Sequence, residues 1–522
     1  MQNAELPAEV QTVVKEFAEL AVQEATTLLS RLPSTLKTQI TTLEGIEAVT
    51  RQLTQIFGQT LAQGWTRETV QTLEPSAPPC STCEITMRKV DYRPITKLGM
   101  FGPYQWRRAY YVCPMGHGGL APTDALLALG PERFTTAVAE AVTAFAVTIP
   151  FDQIPPLVNT LVDLELDGDT IRRVVERVGS VAEAAEQATI AALAAEVAQP
   201  EGAEAEVAQP GGAEPVATER ESQSAAQRLP ALAPDALVVS VDGAMAPFRA
   251  GHAYHEVKVA VCRPLQRVSP TPTASGASPW QPLQEPDYCL GVEPRPAFWA
   301  RVRAHALQQG LASPTCTLVI LLGDGADWIW RDADEHLGGL EHQIIIIKIL
   351  DIFHAREHLW GYGRSYFDTE IAAKAWAAPL NDLLETDGPG PILAAMAELE
   401  AQHPGADPEK VAEHHRYFVN QADRMDYPRY KALGLPIGSG IVEGACDRAL
   451  ARKWSYHKTL VKQRLDAGGM WWNPGGIQSI GTLRALYRSG RERWRAFWAG
   501  KPYAAERGRA LDTPNVPPTE VA

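Results

Sequence analysis

ALVVSVDGAMAPF (residues 236–248) and TCTLVILLGDG (residues 315–325) decide the fold class. Each holds a short run of β-branched and aliphatic residues beside glycine, the pattern of a strand buried on both faces. Each run ends on an aspartate, Asp242 after LVVSV and Asp324 after TLVILLG. A carboxylate buried there is costly unless its charge is compensated, and a metal ion is one compensation. In α/β sheets, the carboxyl ends of strands are also where ligands bind. The Asp242-Gly243 pair admits a second reading, a turn-capping Asp-Gly, in which the strand runs into a turn at Gly243.

Outward from these two runs, the chain alternates strand and helix signals. YHEVKVAVCRPLQRV (254–268) and DYCLGVEP (287–294) read as strands, with a Pro- and Ser-rich loop over 269–281 between them. AFWARVRAHALQQGL (297–311) is a helix, and HQIIIIKILDIFHAREHLWGYG (342–363) is an apolar strand passing into a helix. Three strands, a helix, a strand, a helix and another strand is the order expected of an RNase H-like core, although other α/β domains share parts of it. Residues 366–432 carry helical periodicity and no strand, so they read as an all-helical insertion. The core resumes over 433–500 with LGLPIGSGIVEGACDRALARKW (433–454), where a Gly-rich turn opens a helix and puts Glu443 in its first turn. First-turn glutamates are commonplace, and spacing alone leaves Glu443 open between a metal ligand and a helix-terminal acid.

Two further groups surround these acids. Asp327 competes with Asp324, but GADWIWRDADEH places it at a helix start, where an acid often serves as a cap. Asp351 ends IIIIKIL, and His354 and His358 follow on one helical face. His354-Ala-Arg-Glu-His358 lacks the central Glu of a metalloprotease HExxH. His354 therefore suits proton transfer or phosphate holding, or simply a packed helix histidine.

Upstream, residues 1–73 are helical in pattern and residues 74–120 change character. PSAPPCSTC leads into TMRKVDYRPI and TKLGMFGPYQWRRAYYVCP, a hairpin with Gly102 and Pro103 expected at its turn. Cys80, Cys83, Cys113 and His117 have the residue types and most of the spacing of a structural zinc ribbon. The closing CPMGH has three intervening residues where two are usual, with Gly116 at the place of a second CxxC cysteine. Arg88, Lys89, Arg107 and Arg108 in the same unit suit phosphate contacts. Residues 121–197 are helical, with a helix-turn-helix or a purely structural bundle both open. Residues 198–230, rich in Ala, Glu, Pro, Gly and Gln, read as a flexible linker before the RNase H-like core, whose first part is 231–365.

Composition bounds the partners. The chain has 522 residues and a formal charge of −14, so it is not coated in basic surface. The charge is segregated: between Arg429 and Arg495 there are 13 Lys or Arg against 4 Asp or Glu, whereas between Glu196 and Arg228 there are 7 acids and 2 bases. Arg448, Arg452, Lys453 and Lys458 in the basic stretch are candidate phosphate contacts. No stretch has the roughly 20 apolar residues of a membrane span, no cleavable signal is visible, and seven scattered cysteines do not form a disulfide framework. A soluble, intracellular protein is expected, with residues 501–522 as a tail.

The blocks VVSVDGAM (238–245), YHEVKVA (254–260), LLGDGADWIW (321–330), KILDIFHAREHLW (348–360), YFVNQADRMDYPRYKALGLPIGSGIVEGACDRAL (417–450) and GMWW (469–472) together resemble the Kra-type insertion-sequence transposases of bacteria, members of the DDE group. The resemblance covers most of residues 235–500, and the upstream cysteine unit is similar to the family's zinc-ribbon region more loosely. It implies a triad of Asp242, Asp324 and Glu443 holding Mg²⁺ or Mn²⁺. Asp351 and His354 are similar to a D/C-x-x-H motif of Mutator-like transposases. It also implies double-stranded DNA partners (terminal inverted repeats and a target), a homo-oligomer that brings two ends together, and a bacterial, nucleoid-associated location. Two other outcomes fit the same residues: an inactive, transposase-derived DNA-binding regulator, and a nuclease that hydrolyses without strand transfer.

Overall fold

The computed structural model describes residues 42–72, 76–131, 133–162, 165–198, 232–268, 278–340, 342–403, 408–438 and 471–500, with isolated residues between 11 and 30. It is mixed α/β and multidomain. Two compact units are formed, one from the described parts of Met1–Ala146 with Phe151–Val175, the other from Val147–Pro150 with the described parts of Glu176–Ala499. Among the described residues no helix is long and apolar enough to cross a membrane. The expected linker, apart from Ala198, lies outside the described residues.

In the first unit, helix α1 (Leu43–Thr72) packs on a three-stranded sheet of β1 (Arg88–Gly99), β2 (Gly102–Val112) and β3 (Gly119–Leu120), in that order. Val70 of α1, Trp106 of β2 and Leu129 form one small buried cluster. The hairpin turns at Met100–Phe101, not at the expected Gly102-Pro103: Gly102 already pairs with Gly99, and Pro103 with Leu98. The reason is conformational. Gly102 has φ +111°, so it closes the turn as a positive-φ residue at the first ladder position, a place that favours glycine. A register shift between Lys89 and Asp91 bulges the edge strand. Helices α2 (Pro122–Leu126), α3 (Thr136–Ala146), α4 (Ile154–Val162) and the start of α5 (Gly168–Ala198) follow. Arg172 and Arg173 both pair with Asp169 in the first turn of α5.

The second unit is built on a six-stranded sheet. Its strands are β4 (Ala236–Phe248), β5 (Ala253–Arg267), β6 (Trp280–Pro282), β7 (Asp287–Gly291), β8 (Leu318–Gly323) and β9 (Ile345–Leu350). The order is β6-β5-β4-β8-β9, with β7 also on β5. β4 runs antiparallel to β5 and parallel to β8, and β8 is parallel to β9. Ala236 to Val241 are all buried, as expected of a strand covered on both faces. Two expectations need correction. Trp280–Pro282, read as the end of a loop, pairs with Leu265–Arg267 and is a strand. More consequentially, β4 does not turn at Gly243: it stays paired with β5 through Phe248. The parallel ladder with β8, however, stops at Val241 and Gly323. Asp242 is thus in mid-strand for one neighbour and just past the end of pairing for the other.

Helices α6 (Arg295–Gln308), α7 (Asp327–Leu337) and α8 (Ile352–Arg364) connect or follow the strands. Then come α9 (Glu370–Asp387), α10 (Pro389–Gln402), α11 (Pro408–Gln421) and α12 (Tyr427–Ala432), with no strand among the described residues of 366–432. Helices α13 (Pro474–Arg488) and α14 (Arg491–Ala499) end the unit. A buried ionic network ties these pieces. His305 on α6 lies between two carboxylates, Nδ1 at 2.8 Å from Asp287 and Nε2 at 2.8 Å from Glu186 of α5. Arg301 pairs with Glu186 and, at 2.7 Å, with Glu293, while Arg493 of α14 reaches Asp287 at 2.5 Å. Burial alone would push His305 down, but the charges of Asp287 and Glu186 outweigh it and hold the imidazole up at about 9.

A folded-state value raised from 6.5 to about 9 gives stabilisation that is complete below pH 6.5 and lost as pH rises through 9. The contribution is at most on the order of 3 kcal/mol. Thermal melts between pH 6 and pH 10 should show this alkaline loss, and His305→Gln should flatten it. An equally steep loss in the variant would remove His305 as its source.

Candidate metal centres

In the first unit the sequence brings Cys80, Cys83, Cys113 and His117 together. Their ligand atoms all lie within 4.8 Å of one another, and this is the one such group of three or more among the described residues. Cys83 Sγ is 3.6 Å from Cys113 Sγ, and His117 Nδ1 is 3.7 Å from Cys113 Sγ and 3.9 Å from Cys80 Sγ. A tetrahedron with metal–sulfur bonds of about 2.3 Å has edges of roughly 3.8 Å, so the donor set fits a Cys₃His metal ion, zinc included. Two short turns make the site. In the first, the Thr82 amide donates to Cys80 Sγ at 3.5 Å; in the second, the Met115 amide donates to Cys113 Sγ at 3.3 Å. The backbone amides of Thr82 and Cys83 pull the Cys80 thiol down to about 6, which favours the thiolate that a metal needs. Gly116 has φ +80°, and this left-handed residue lets a three-residue spacing return His117 to the sulfurs. Local apolar packing is thin: Met87, Ala109, Tyr111 and Leu120 are the hydrophobic neighbours of the three cysteines.

The cationic side chains of this unit separate into two kinds. Arg88, Lys89 and Arg107 are exposed. Lys89 lies over the Tyr92 ring at 4.2 Å, and Arg107 donates to the Tyr92 carbonyl at 2.6 Å. Arg108 departs from the expectation of a phosphate contact: it is 7% exposed and pairs with buried Asp124 at 2.6 Å. Strand alternation is the reason, since Arg107 and Arg108 point to opposite faces of β2, and at this position only the face of Arg107 is open.

In the second unit, Asp242 and Asp324 emerge from adjacent parallel strands where their pairing ends. The Asp242 carboxylate accepts from the Gly243 amide at 2.7 Å, and that of Asp324 from the Ala326 amide at 2.9 Å. Burial pushes the Asp324 carboxyl up, and the neighbouring charge of Asp242 pushes it further. A cation between them would relieve both effects. His354, on the first turn of α8, places Nε2 at 4.0 Å from Asp242 Oδ2 and Nδ1 at 3.8 Å from Glu357. Glu256 adds a fourth acidic group, since its carboxylate occupies the space that a Cβ at Gly243 would need. Asp327 stands apart as an exposed residue in the first turn of α7. Asp351 is the N-cap of α8, accepting from the Phe353 amide at 2.8 Å. His358 is engaged by the helical insertion, with Nδ1 at 3.0 Å from His414 Nδ1 and its ring stacked 3.6 Å from Tyr417. Glu443, Arg448, Arg452, Lys453 and Lys458 lie outside the described residues.

No family model matches the chain. A curated leucine–tRNA ligase of Chromobacterium violaceum is 26% identical over 190 residues, covering 30% of this chain and 21% of that protein. The chain thus spans about a fifth of that relative's length. A likeness this partial brings neither a family nor an activity with it.

The sequence reading missed what surrounds Asp324. Tyr417 Oη donates to the Asp324 carbonyl at 2.7 Å, and Gln421 Nε2 donates to the Gly325 carbonyl at 2.9 Å. Both come from α11, whose stretch HHRYFVNQ reads as helix by its periodicity, which does not tell what its side chains touch. Gly325 has φ +104°, and a Cβ there would lie 2.7 Å from the Tyr417 ring. Gly325→Ala is expected to cost about 1–3 kcal/mol through strain and overpacking. Chemical denaturation of the two proteins checks this, and equal midpoints and slopes would refute it.

Proposed function

We propose that this protein is a DDE-type DNA transposase whose second unit is an RNase H-like catalytic core. The observation that carries the reading is that Asp242 and Asp324 each follow directly on the last paired residue of two adjacent parallel strands, with His354 4.0 Å from Asp242. The element order supports it: β4, β5 and β7, then α6, β8, α7 and β9, with short β6 added at the edge and a helical insertion following. Two carboxylates suit a hard divalent cation that keeps several of its waters, such as Mg²⁺ or Mn²⁺. Bound there, the ions would activate the attacking oxygen and stabilise the leaving oxygen of a phosphodiester.

The chain's own groups have distinct tasks in this reading. Asp242 and Asp324 hold the cation, each carboxylate fixed by a backbone amide. His354 is within reach of a proton or a phosphate oxygen at the site mouth. Glu443 is the third acid by family resemblance; Ile437 and Gly438, the last residues described before it, lie against Ile352 and Asp351. The Cys₃His centre, with zinc as its proposed ion, holds a hairpin that presents Arg88, Lys89 and Arg107 to DNA phosphates. Terminal inverted repeats and a target duplex are the proposed partners, and two ends joined in one assembly imply a homo-oligomer.

The experiment is cleavage and joining of DNA carrying the inverted repeats that flank the gene, with Mg²⁺ or Mn²⁺ supplied. Joined products distinguish transposition from hydrolysis alone. Undiminished cleavage by a Glu443→Gln protein would sink the triad, and no cleavage by the wild-type chain would favour a regulatory derivative.

A further inference from the structure

The described helical insertion reaches the backbone that carries Asp324 through a specific contact. Two side chains one turn apart on α11, Tyr417 and Gln421, donate to two successive carbonyls, those of Asp324 and Gly325. These are the first residues after β8, where the ladder with β4 has ended and no strand pairing holds the backbone. Without that grip, the Asp324 carboxylate would depend on its single bond to the Ala326 amide.

Several features keep the Tyr417 hydroxyl in place. Its ring is stacked on His358 with an interplanar angle of 5°. His358 is in turn fixed by His414, one turn before Tyr417 along α11's face. Close approach of the helices requires Gly361 in α8, since a Cβ there would lie 2.7 Å from the His414 ring. On the opposite side, Gly325 at φ +104° leaves the space that the ring fills.

We propose that Tyr417 and Gln421 are positioning residues that set the Asp324 carboxylate for its divalent ion, and that this is a function of the helical insertion. This rests on the reading of Asp242 and Asp324 as ion ligands. Neither Tyr417 nor Gln421 touches the reacting atoms. They act on the backbone that carries the ligand, so their removal weakens ion binding without emptying the donor set.

The test is direct Mn²⁺ binding to the full-length, zinc-loaded protein, read by loss of the free-ion electron paramagnetic resonance signal, together with thermal melts of the same protein without Mn²⁺. Tyr417→Phe keeps the ring and its stacking but removes the donor. It is expected to raise the Mn²⁺ dissociation constant about 3- to 10-fold, the effect of one lost hydrogen bond. Gln421→Met, nearly isosteric, should shift it in the same direction and supplies the answer if the tyrosine variant folds poorly. Asp324→Asn should lose this binding. If both Tyr417→Phe and Gln421→Met bind Mn²⁺ as tightly as wild type while Asp324→Asn does not, the positioning role is overturned and the ion site stands. If Asp324→Asn binds Mn²⁺ as wild type does, the ion site itself fails, and the positioning role with it.

Discussion

Asp324→Asn is expected to lower metal-dependent DNA cleavage by roughly 10³-fold or more while leaving the fold intact in the absence of Mg²⁺ or Mn²⁺. The size follows from the several kcal/mol of transition-state charge stabilisation that a bound cation supplies, at 1.36 kcal/mol per tenfold in rate. The intact fold follows from geometry: Asn retains the side-chain oxygen that accepts from Ala326. Its carbonyl, held by Tyr417, is unchanged by the substitution. Removing one of two like charges also relieves the repulsion that pushes the Asp324 carboxyl up. Stability in the absence of Mg²⁺ or Mn²⁺ should therefore hold or rise, and that separates a functional carboxylate from a structural one. Cleavage rates on end-containing DNA and melts of the same preparations measure both. A variant that cleaves normally, or one that melts far below wild type, would remove Asp324 from the proposed role. Asp242→Asn should behave alike in cleavage, since the two acids share one ion site in this reading.

The second large effect is expected in the first unit. Stripping the metal from Cys80, Cys83, Cys113 and His117, or replacing Cys83 by Ser, should unfold the base of the hairpin. In small metal-supported domains the binding free energy is folding free energy, on the order of 10 kcal/mol. The hydrophobic neighbours of this cluster are few, so little else holds its two cysteine turns together. Strands β1 and β2 pair over eleven positions, and their far end packs on α1, so unfolding should begin at the cysteine end and not at Gly99–Gly102. Elemental analysis should find one zinc per chain, and hydrogen exchange after chelation should rise first at Cys80–Met87 and Val112–Leu120. A zinc-free protein with unchanged exchange there would show that side-chain packing alone suffices. The proposed DNA contacts of Arg88, Lys89 and Arg107 should weaken on chelation, because the turns anchor the strands that carry them.

The comparison of Asp242 with Asp324 shows how sequence and structure divide the work. Both were legible as acids closing apolar runs, because burial on two faces leaves a continuous hydrophobic signature. The run does not reveal where pairing ends. Asp242 lies within a thirteen-residue strand, and its site character comes from the shorter partner β8 stopping one residue earlier. Arg107 and Arg108 are adjacent in sequence and equal in charge, yet one is open and the other is closed on Asp124. Only the covering of one sheet face separates them. Tyr417 and Gln421 fall in the 417–450 block that carries the family resemblance, but their helical spacing is that of any amphipathic helix and does not say that they reach Asp324 and Gly325.

What the sequence determined by itself is most of the elements, short β6 excepted, and the local chemistry: apolar strands with terminal acids, a CxxC turn, a helical stretch after β9. Its period and its glycines fix those over a few residues. The meeting of Cys80 and Cys83 with Cys113 and His117 lies between, because the hairpin joining them is itself legible in sequence. The tertiary structure alone decided which residues meet across long separations: Asp242 with His354, and Asp324 with Tyr417, 93 residues away. It alone placed His305 between Asp287 and Glu186. Such contacts depend on the order of strands in the sheet and on which face each helix covers, and neither is written in any local run of residues.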